Sequence, residues 1–302
     1  MLSIIICTYK RPQLLNNCLV GAMQVLEKMD AEVIVINDSP ADPVTVPQHP
    51  KVRLYNNTKR GLASARNLGA VSARGELLLF LDDDIEFDLK NVDDMLAVYA
   101  QRPPACYNPN WKYSDAMTRE VESTQFGRFL IKHKLINYRG WVPGLNWQDT
   151  IFEVKQVAGF FMLMPKVFFD RSGGFNEEFI NQGTEDDELC VRLAALDVKM
   201  FIDPQIYVFH NELDRISLES RVHRYYNGAV NRRKALDLGI EEYRISYTPA
   251  RRLLMKMLLP LKKALLFSAG LIPNKLVFDP LYFRLSHVLI AIAIYEGYSK
   301  ND

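Results

Sequence analysis

The sequence has few cysteines and no long apolar run, and both absences limit the kind of protein it can be. Its 302 residues include four cysteines without CxxC spacing, so we expect reduced thiols and an intracellular protein. No uninterrupted apolar run reaches the roughly 18 residues of a membrane-spanning helix. No basic segment precedes the first strand-like run at Leu2, so a signal peptide is not expected.

A glycine-rich turn after the first strand-like run is also missing. Dinucleotide oxidoreductases carry such a turn, whereas here it reads CTYKRP. Apolar residues make up 48% and charged residues 24% of the chain, which is ordinary for a globular protein. The length allows one large α/β domain, or a domain of about 230 residues with an appendage.

Strand-like and helix-like segments alternate over the first third of the chain. The strand-like runs are LSIIIC, EVIVIN, VRLYNN and ELLLFL, with apolar residues at helical spacing between them. This alternation predicts right-handed βαβ crossovers and a mainly parallel central sheet flanked by helices. Ligands of such sheets bind beyond the carboxyl ends of the strands. The residues expected to share that edge are Thr8, Tyr9, Arg11, Asn37, Asp38, Ser39 and Asp82–Asp84.

The alternation stops at residues 103–155, which are richer in Pro, Asn, Trp and Tyr. We predict a loop-rich insertion that lines the site. There Trp111, Trp141 and Trp147 either stack on the flat face of a ligand or pack inside the protein.

Regular patterns return in the rest of the chain. VKQVAGFFMLMP is one bent strand or two, EDDELCVRLAAL is helix-like, MFID and IYVFH indicate two strands, and Ser217 to Gly239 indicates a helix. We predict a domain at 1–240, with halves at 1–100 and 101–240. A basic helical extension at 241–302 follows.

Three adjacent aspartates, Asp82–Asp84, follow a strand-like run that is expected to be buried. Carboxylates in that position are costly unless a cation or hydrogen-bond donors stabilise them. Oxygen ligands suit Mg²⁺ or Mn²⁺, and Mg²⁺ is commonly held by one or two carboxylates and substrate phosphates. We predict that the aspartates bind such a cation, which binds a diphosphate. The alternative is a solvated turn in which one aspartate caps a helix.

A second acidic cluster, GTEDDEL, begins at Gly183. Thr184 as a helix N-cap, with acids in the first turn, is a structural account of it. Four consecutive acids exceed what capping requires, and repulsion among them can raise the pKa of one, as a general base needs. The cluster therefore predicts at least one functional carboxylate.

Two basic side chains complete the candidate set. His210 ends the run IYVFH and is either structural or a nitrogen ligand, more naturally to Mn²⁺ than to Mg²⁺. Arg66, within KRGLASARNLGAVSARGE, is a candidate to offset diphosphate charge. Asn67, next to it, is expected to be a structural hydrogen bonder.

Taken together, these segments resemble the family 2 glycosyltransferases of the GT-A fold. The matching pieces are SIIICTYKRP, VIND, GLASARNLGAVSARGE, FLDDD, AGFFMLMPKVFFDRSGGFNEEF and GTEDDELCVRL. The resemblance implies an inverting transferase that uses a nucleotide-diphosphate sugar, commonly UDP-linked, with Mn²⁺ or Mg²⁺. The multiple spanning helices and the QxxRW motif of processive synthases are absent. A single-addition or short-chain enzyme is therefore expected, with a glycan or lipid-linked glycan acceptor, in surface polysaccharide or glycoconjugate assembly.

The resemblance also implies that 1–100 is the nucleotide-binding half and 101–240 the acceptor and catalytic half. It implies roles for individual residues as well. Asp186 corresponds to the catalytic base, with Glu185 nearby at the acceptor. Asp84 corresponds to the principal metal ligand, and His210 to a metal-binding histidine found in part of the family. Thr8, Tyr9 and Arg11 border the nucleoside, Asp38 binds the base and Asp82 lies on the ribose side. The residues expected to bind the nucleotide sugar are Thr8, Tyr9, Arg11, Asp38, Arg66, Asp82 and Asp83.

The C-terminal quarter is basic and apolar. Between Tyr243 and Phe278 there are seven Lys or Arg residues and no acid, interleaved with LLMKMLLPLKKALLF. Such a segment is typical of a surface that lies on an anionic bilayer, which would place the protein in the cytoplasm, peripherally on the inner face of the cell membrane. The alternative is a helical lid with its bases in water. Nucleic acid is not an expected partner, because the bases are not interleaved with aromatic platforms.

Two other functions are compatible with these patterns. One is a catalytically silent nucleotide-sugar-binding scaffold of a glycan-assembly complex, which the presence of Asp82, Asp84 and Asp186 disfavours. The other is a nucleotidyltransferase, whose phosphate loop would more often contain glycine. Metal-dependent hydrolysis or transfer of the donor sugar would identify an enzyme, whereas the scaffold would show neither.

Overall fold

The computed structural model describes residues 1–141, 144–180 and 183–300, which divide into two units. Within the described residues, the first unit consists of 1–114, 137–141, 144–180 and 185–211, and the second of 115–136, 183–184 and 212–300. The domain limits expected from the sequence stay a prediction.

The first unit contains a sheet that has nine strands in the described part of the chain. They are β1 Leu2–Thr8, β2 Ala31–Asn37, β3 Val52–Asn56, β4 Leu77–Asp82, β5 Ile85–Glu86, β6 Cys106–Lys112, β7 Phe152–Val154, β8 Phe161–Pro165 and β9 Met200–His210. The order is β3-β2-β1-β4-β8-β6-β9-β5, and β7 also pairs with β9. Strands β1 to β4 are parallel to one another, whereas β8 runs antiparallel to β4 and β6.

Helices connect these strands and build the second unit. In the first unit and the second together they are α1 Pro12–Lys28, α2 Leu62–Ser72, α3 Leu89–Ala100, α4 Asp115–Glu122, α5 Gln125–Lys132, α6 Tyr138–Trp141, α7 Lys166–Ser172, α8 Glu185–Ala195, α9 Leu218–Asp237, α10 Pro249–Leu258, α11 Lys262–Leu271 and α12 Asp279–Tyr298. The predicted α/β class, with a central sheet flanked by helices and a helical C-terminal region, is confirmed.

The core of the first unit lies between the sheet and its helices. Strands β1 and β2 are buried along their whole length, as expected for parallel strands covered on both faces. Small residues in α2 let that helix approach the sheet closely. A Cβ atom at Gly69 would lie 2.3 Å from the Cγ2 atom of Ile5, so any side chain there would push α2 away from β1.

Two local predictions were wrong. The segment 103–155 is not a loop-rich insertion, because it contains helices α4 to α6 and strand β6, which lies between β8 and β9 in the sheet. MFID and IYVFH are not two strands but one, β9. The register shifts there, since Pro109 pairs with Asp203 and Asn110 with Tyr207. This irregularity accommodates Pro204, which has no N–H to donate to the neighbouring strand.

The second unit is built around the pair α9 and α12. A Cβ atom at Gly297 would lie 2.3 Å from the carbonyl oxygen of Tyr226, so the two helices approach closely at that point. Arg128 donates to both carboxylate oxygens of Asp279, each at 2.7 Å, which joins α5 to the start of α12. Among the described residues, the segment Leu276–Tyr298 is long and apolar enough to cross a membrane, but 39% of its apolar window is buried inside the protein.

Candidate active site

The carboxyl ends of β1, β2 and β4 lie side by side. Thr8 is paired in register with Asn37, and Cys7 with Asp82. The backbone N–H of Asp38 donates to the carbonyl oxygen of Thr8 at 2.8 Å. The parallel register thus brings together side chains that are 30 to 75 residues apart in the chain.

Asp83 is buried beneath this edge and is bound on both carboxylate oxygens. Thr8 Oγ1 donates to Oδ2 at 2.6 Å, and Arg11 Nη1 donates to Oδ1 at 2.8 Å. Burial and the neighbouring charge of Asp84 raise the pKa of Asp83 to about 7, against the opposing effect of Arg11. These contacts fit a residue that positions Thr8 and Arg11 for a ligand.

Arg66 is the buried cation of the site, with 2% of its surface exposed. It donates to Asp82 Oδ1 at 2.8 Å and to Glu185 Oε1 at 3.0 Å. Burial lowers the pKa of Arg66, but these two carboxylates more than offset that and hold it above its usual value. Burial raises the pKa of Glu185 to about 8. The negative charge of Asp186 adds to this shift, and the positive charge of Arg66 only partly opposes it. Arg66 and Arg11 therefore balance much of the aspartate charge that the sequence analysis assigned to a metal ion.

Gly159 provides the space that Arg66 occupies. A Cβ atom at this position would lie 2.5 Å from Arg66 Cζ, so a side chain would displace the guanidinium group from its carboxylates. The backbone N–H of Gly159 also donates to Asp186 Oδ2 at 3.0 Å. One glycine thus contacts both the buried ion-pair network and the candidate base.

Asp186 differs from Glu185 in its surroundings. Glu185 is 2% exposed and is bound to Arg66, whereas Asp186 is partly exposed in the first turn of α8. Asp186 Oδ1 accepts from the backbone N–H of Asp187 at 3.0 Å, and its other oxygen is held by Gly159. These donors orient the carboxylate of Asp186 and leave it within reach of solvent.

Asp84 and His210 form the candidate metal site. His210 Nε2 lies 3.1 Å from Asp84 Oδ1, outside hydrogen-bonding geometry, and neither ring nitrogen of His210 has a hydrogen-bond partner among the described residues. A buried imidazole in that state is costly. Neighbouring ligand atoms of an octahedral ion with bonds of about 2.1 Å lie about 3 Å apart, so the two side chains fit a shared cation.

The described residues contain no cluster of three or more His, Cys, Asp or Glu side chains suited to a metal. Asp84 and His210 would supply two ligand residues, which is the number expected when substrate phosphates complete the shell. Arg11 Nη1 donates to Asp84 Oδ2 at 3.0 Å, so this carboxylate is shared between a fixed cation and the candidate site.

Asp38 and Tyr9 lie at the outer part of the edge. Asp38 Oδ1 accepts from Asn57 Nδ2 at 2.6 Å, and its Oδ2 accepts from the Gly61 N–H at 3.1 Å. Burial raises the pKa of Asp38, and these donors only partly oppose it. Tyr9 is 43% exposed, which leaves its ring accessible to a planar ligand.

A positioning network behind the site was not found from the sequence. Asn108 Oδ1 accepts from the Tyr138 hydroxyl at 2.7 Å and from the Ala158 N–H at 2.6 Å, and its amide donates to the Phe161 carbonyl at 2.7 Å. Asn108 therefore fixes the backbone on both sides of Gly159. The only sequence signal was a polar residue within CYNPNWK, which is ambiguous without knowing that this run is a central strand.

The three tryptophans differ in what they could contact. Trp111 is fully buried and packs edge-on to His210, with ring centroids 4.9 Å apart, so it does not stack on a sugar. Trp141 and Trp147 are partly exposed, and Trp141 lies 5.5 Å from the ring of His210. Trp111 and Trp141 together hold that imidazole in place.

Two protein-family models match the chain. The family model described as glycosyl transferase family 2 matches residues 3–164, and a model described as the N-terminal domain of galactosyltransferase matches residues 146–216. An uncharacterized glycosyltransferase of Haemophilus influenzae is 35% identical over 124 residues, covering 40% of each chain. A validoxylamine A glucosyltransferase of Streptomyces hygroscopicus is 29% identical over 238 residues, covering 67% of this chain and 49% of that protein. The chain thus spans about half the length, or less, of these relatives.

Two solved structures share the fold. A mannosyltransferase from Pyrobaculum calidifontis in complex with GDP-Man and Mn²⁺ has a TM-score of 0.55 at 16% identity, covering 100% of this chain and 88% of that one. TarS 1–349 of S. aureus in complex with UDP has a TM-score of 0.52 at 15% identity, covering 100% and 92%. At this identity the likeness concerns the fold alone.

Proposed function

The chain belongs to glycosyltransferase family 2, and from that premise we propose that it transfers a sugar from a nucleotide-diphosphate sugar to a hydroxyl group. The donor is UDP-linked, the anomeric configuration is inverted, and the acceptor is a glycan or lipid-linked glycan. The observation that carries this proposal is that the first unit contains both halves of the necessary chemistry. It contains an oriented, partly exposed carboxylate, Asp186, and a paired carboxylate and imidazole, Asp84 and His210.

The proposed reaction is a direct displacement at the anomeric carbon. Asp186 takes the proton from the acceptor hydroxyl as the oxygen forms its bond to the anomeric carbon. The bond from that carbon to the diphosphate oxygen breaks, and its electron pair leaves with the nucleoside diphosphate. The Gly159 N–H supports this role, because it holds one oxygen of Asp186 and so directs the carboxylate.

Several residues are assigned to the donor in this proposal. Thr8, Tyr9 and Arg11 border the nucleoside, Asp38 binds the base, and Asp82 lies on the ribose side. Arg66 and Asp83 act as positioning residues, because both are buried and are hydrogen-bonded to other site residues. Glu185 joins them, since its contact with Arg66 holds it inside the protein.

Asp84 and His210 are proposed to hold Mn²⁺ or Mg²⁺ together with the donor diphosphate. When bound, such an ion acts as a Lewis acid on the leaving diphosphate. Arg11 lies against Asp84 and can contribute a second positive charge to the same phosphates. Proton transfer and positioning of the donor are assigned to this chain's own side chains.

The cellular setting is also a proposal. We infer a role in surface polysaccharide or glycoconjugate assembly, in the cytoplasm and on the inner face of the cell membrane. The support is the basic and apolar C-terminal quarter, which would hold the enzyme near a lipid-linked acceptor.

A screen of nucleotide sugars tests the proposed function. Purified full-length protein is incubated with UDP-linked and GDP-linked sugars and Mn²⁺, and release of nucleoside diphosphate is measured. We expect slow hydrolysis of one UDP-sugar, which EDTA abolishes. Thermal stabilisation by a nucleotide sugar without any hydrolysis or transfer would favour the silent scaffold, and no response to any donor would contradict the proposal.

A further inference from the structure

The second unit has a surface that is both apolar and exposed, formed by residues 249–281 and called here the basic apolar surface. It includes α10, α11 and the segment leading into α12. Six large side chains on it are between 61% and 76% exposed: Leu253, Met257, Phe267, Leu271, Leu276 and Val277. Leaving side chains of this size in water is unfavourable. Such a concentration of apolar side chains indicates an interaction site.

The same surface is basic, because the only acid in residues 249–281 is Asp279, which is buried and paired with Arg128. Arg251, Arg252, Lys256, Lys263 and Lys275 lie on it, and the segment from Tyr243 to Phe278 contains no acid. Lys262 pairs with Glu296 of α12 at 2.6 Å. The other five form no ion pair with a described residue. The occupant must therefore offer both an apolar layer and negative charge.

A cavity beside this surface has room for an anionic group. It measures about 310 Å³ and is lined by three arginines, Arg233, Arg244 and Arg252, together with Tyr247 and Tyr298. Arg233 is paired with Asp237, and Arg244 with Glu241. Planar guanidinium groups suit the oxygens of a phosphate.

A second, neighbouring cavity connects the arginines to the apolar residues. It measures about 390 Å³ and is lined by Tyr247, Pro249, Arg252, Leu253 and Lys256. Tyr247 and Arg252 line both cavities. A molecule with a phosphate at one end and hydrocarbon at the other would match this sequence of surfaces.

We propose that the basic apolar surface docks on an anionic lipid bilayer and that the arginine-lined cavity receives a lipid phosphate. A second copy of the chain fits less well, because two basic surfaces would then face each other. A bilayer provides the hydrocarbon for Phe267 and Leu271 and the negative charge for the bases at once. This inference does not depend on the glycosyl-transfer chemistry, since it concerns residues of the second unit alone.

Vesicle sedimentation with the full-length protein tests the inference. Vesicles of phosphatidylcholine with about one third phosphatidylglycerol are compared with phosphatidylcholine alone, at low and high salt. We expect binding to the anionic vesicles that is at least tenfold stronger and that weakens with salt, since each surface base contributes about a fivefold gain near anionic lipid. Equal binding to both kinds of vesicle, or none to either, would overturn the inference.

Matched variants locate the binding surface. Phe267→Ser with Leu271→Ser should weaken binding to anionic vesicles at least tenfold. The control, Val20→Ser with Val71→Ser, changes two residues of the first unit that are 61% and 80% exposed and should leave binding unchanged. Equal loss in both double variants would overturn the inference. So would a concentration-dependent dimer, seen by light scattering, that only the first double variant abolishes.

Two single arginine variants test whether the arginine-lined cavity contributes to membrane binding. Arg252→Gln should weaken anionic-vesicle binding about fivefold or more, whereas Arg74→Gln, at an exposed base of the first unit, should not. Donor hydrolysis measured without vesicles should be the same in all four variants. If that activity is missing from the unaltered protein while vesicle binding is intact, the proposed function fails and the docking inference stands.

Discussion

Each buried carboxylate of the site has an identifiable donor, and single residues therefore decide whether the site is stable. Arg66 is the clearest case, because it lies between Asp82 and Glu185 and is almost fully buried. We predict that Arg66→Met lowers the free energy of unfolding by about 3 kcal/mol, since it leaves buried acid without a countercharge. Urea unfolding measures this change. Arg60→Met, at an exposed position, is the control and should change stability by less than about 0.5 kcal/mol, and an equal effect of both variants would contradict the account.

Asp186 is the residue that the proposed mechanism needs most. Asp186→Asn keeps the shape of the side chain and can keep one of the two backbone contacts, because its amide nitrogen cannot accept from an N–H, and it cannot take a proton from the acceptor. We predict that turnover falls at least about 100-fold while donor binding, measured by calorimetry, stays within about threefold. Asp187→Asn serves as the neighbouring control and should retain most activity. Near-normal turnover of Asp186→Asn would remove this residue from the role of base.

Glu185 should make stability depend on pH. Burial raises its pKa from the ordinary 4.5 to about 8. Between those two pH values the folded protein holds a proton that the unfolded chain releases, so the free energy of unfolding falls as pH rises through this window. We predict that Glu185→Gln reduces the slope of stability against pH, measured by urea unfolding in metal-free buffer. Glu178→Gln, at an exposed glutamate, should keep the full slope, and an unchanged slope in Glu185→Gln would show that its carboxyl is ionised throughout.

The sequence predicted which side chains of the site lie close together, but not which contacts they make with one another. Asp82–Asp84 end a buried strand, and that pattern alone predicted a charged edge. It did not predict that Arg11 and Arg66 would take up much of that charge, because their contacts span 16 to 119 residues of chain. Asn108 was missed for the same reason, since its partners come from other elements.

Secondary-structure elements were predictable where their pattern was local. The parallel strands β1 to β4 are apolar runs separated by helical spacing, and they were found with limits close to those observed. Strand β6 was missed, because Asn108, Pro109 and Asn110 give it a polar, turn-like sequence. Its place is set by pairing with β8 and β9. Strand β9 looked like two strands because Pro204 and Gln205 interrupt its apolar sequence.

The contact between α9 and α12 determines how the C-terminal apolar helix is interpreted. If α12 is a packed helix, Gly297→Ala must move the backbone of Tyr226, because the new Cβ would lie 2.3 Å from its carbonyl oxygen. We predict a loss of about 1–3 kcal/mol in the free energy of unfolding. Gly270→Ala, where the new Cβ would meet nothing within 4 Å, is the control in α11 and should be neutral or slightly stabilising. A neutral Gly297→Ala would contradict this packing.

The molecule as a whole carries a formal charge of only +1, yet its charges are sorted. Acidic side chains gather at the carboxyl edge of the sheet in the first unit, and bases without acids occupy residues 243–278 of the second. The family and the α/β class could be predicted from the sequence because the matching motifs are ordered along the chain. The division into units could not, since residues 115–136 belong with a segment that begins about 75 residues later.

The proposal that Asp84 and His210 share one divalent ion is tested most directly by titrating Mn²⁺ into the full-length protein with UDP and following free Mn²⁺ by electron paramagnetic resonance. We predict one bound Mn²⁺ per chain, with affinity at least about tenfold lower in Asp84→Asn and in His210→Gln and nearly unchanged in Asp186→Asn. Mn²⁺ binding that is equal in all four proteins, or absent from the unaltered one, would contradict the account.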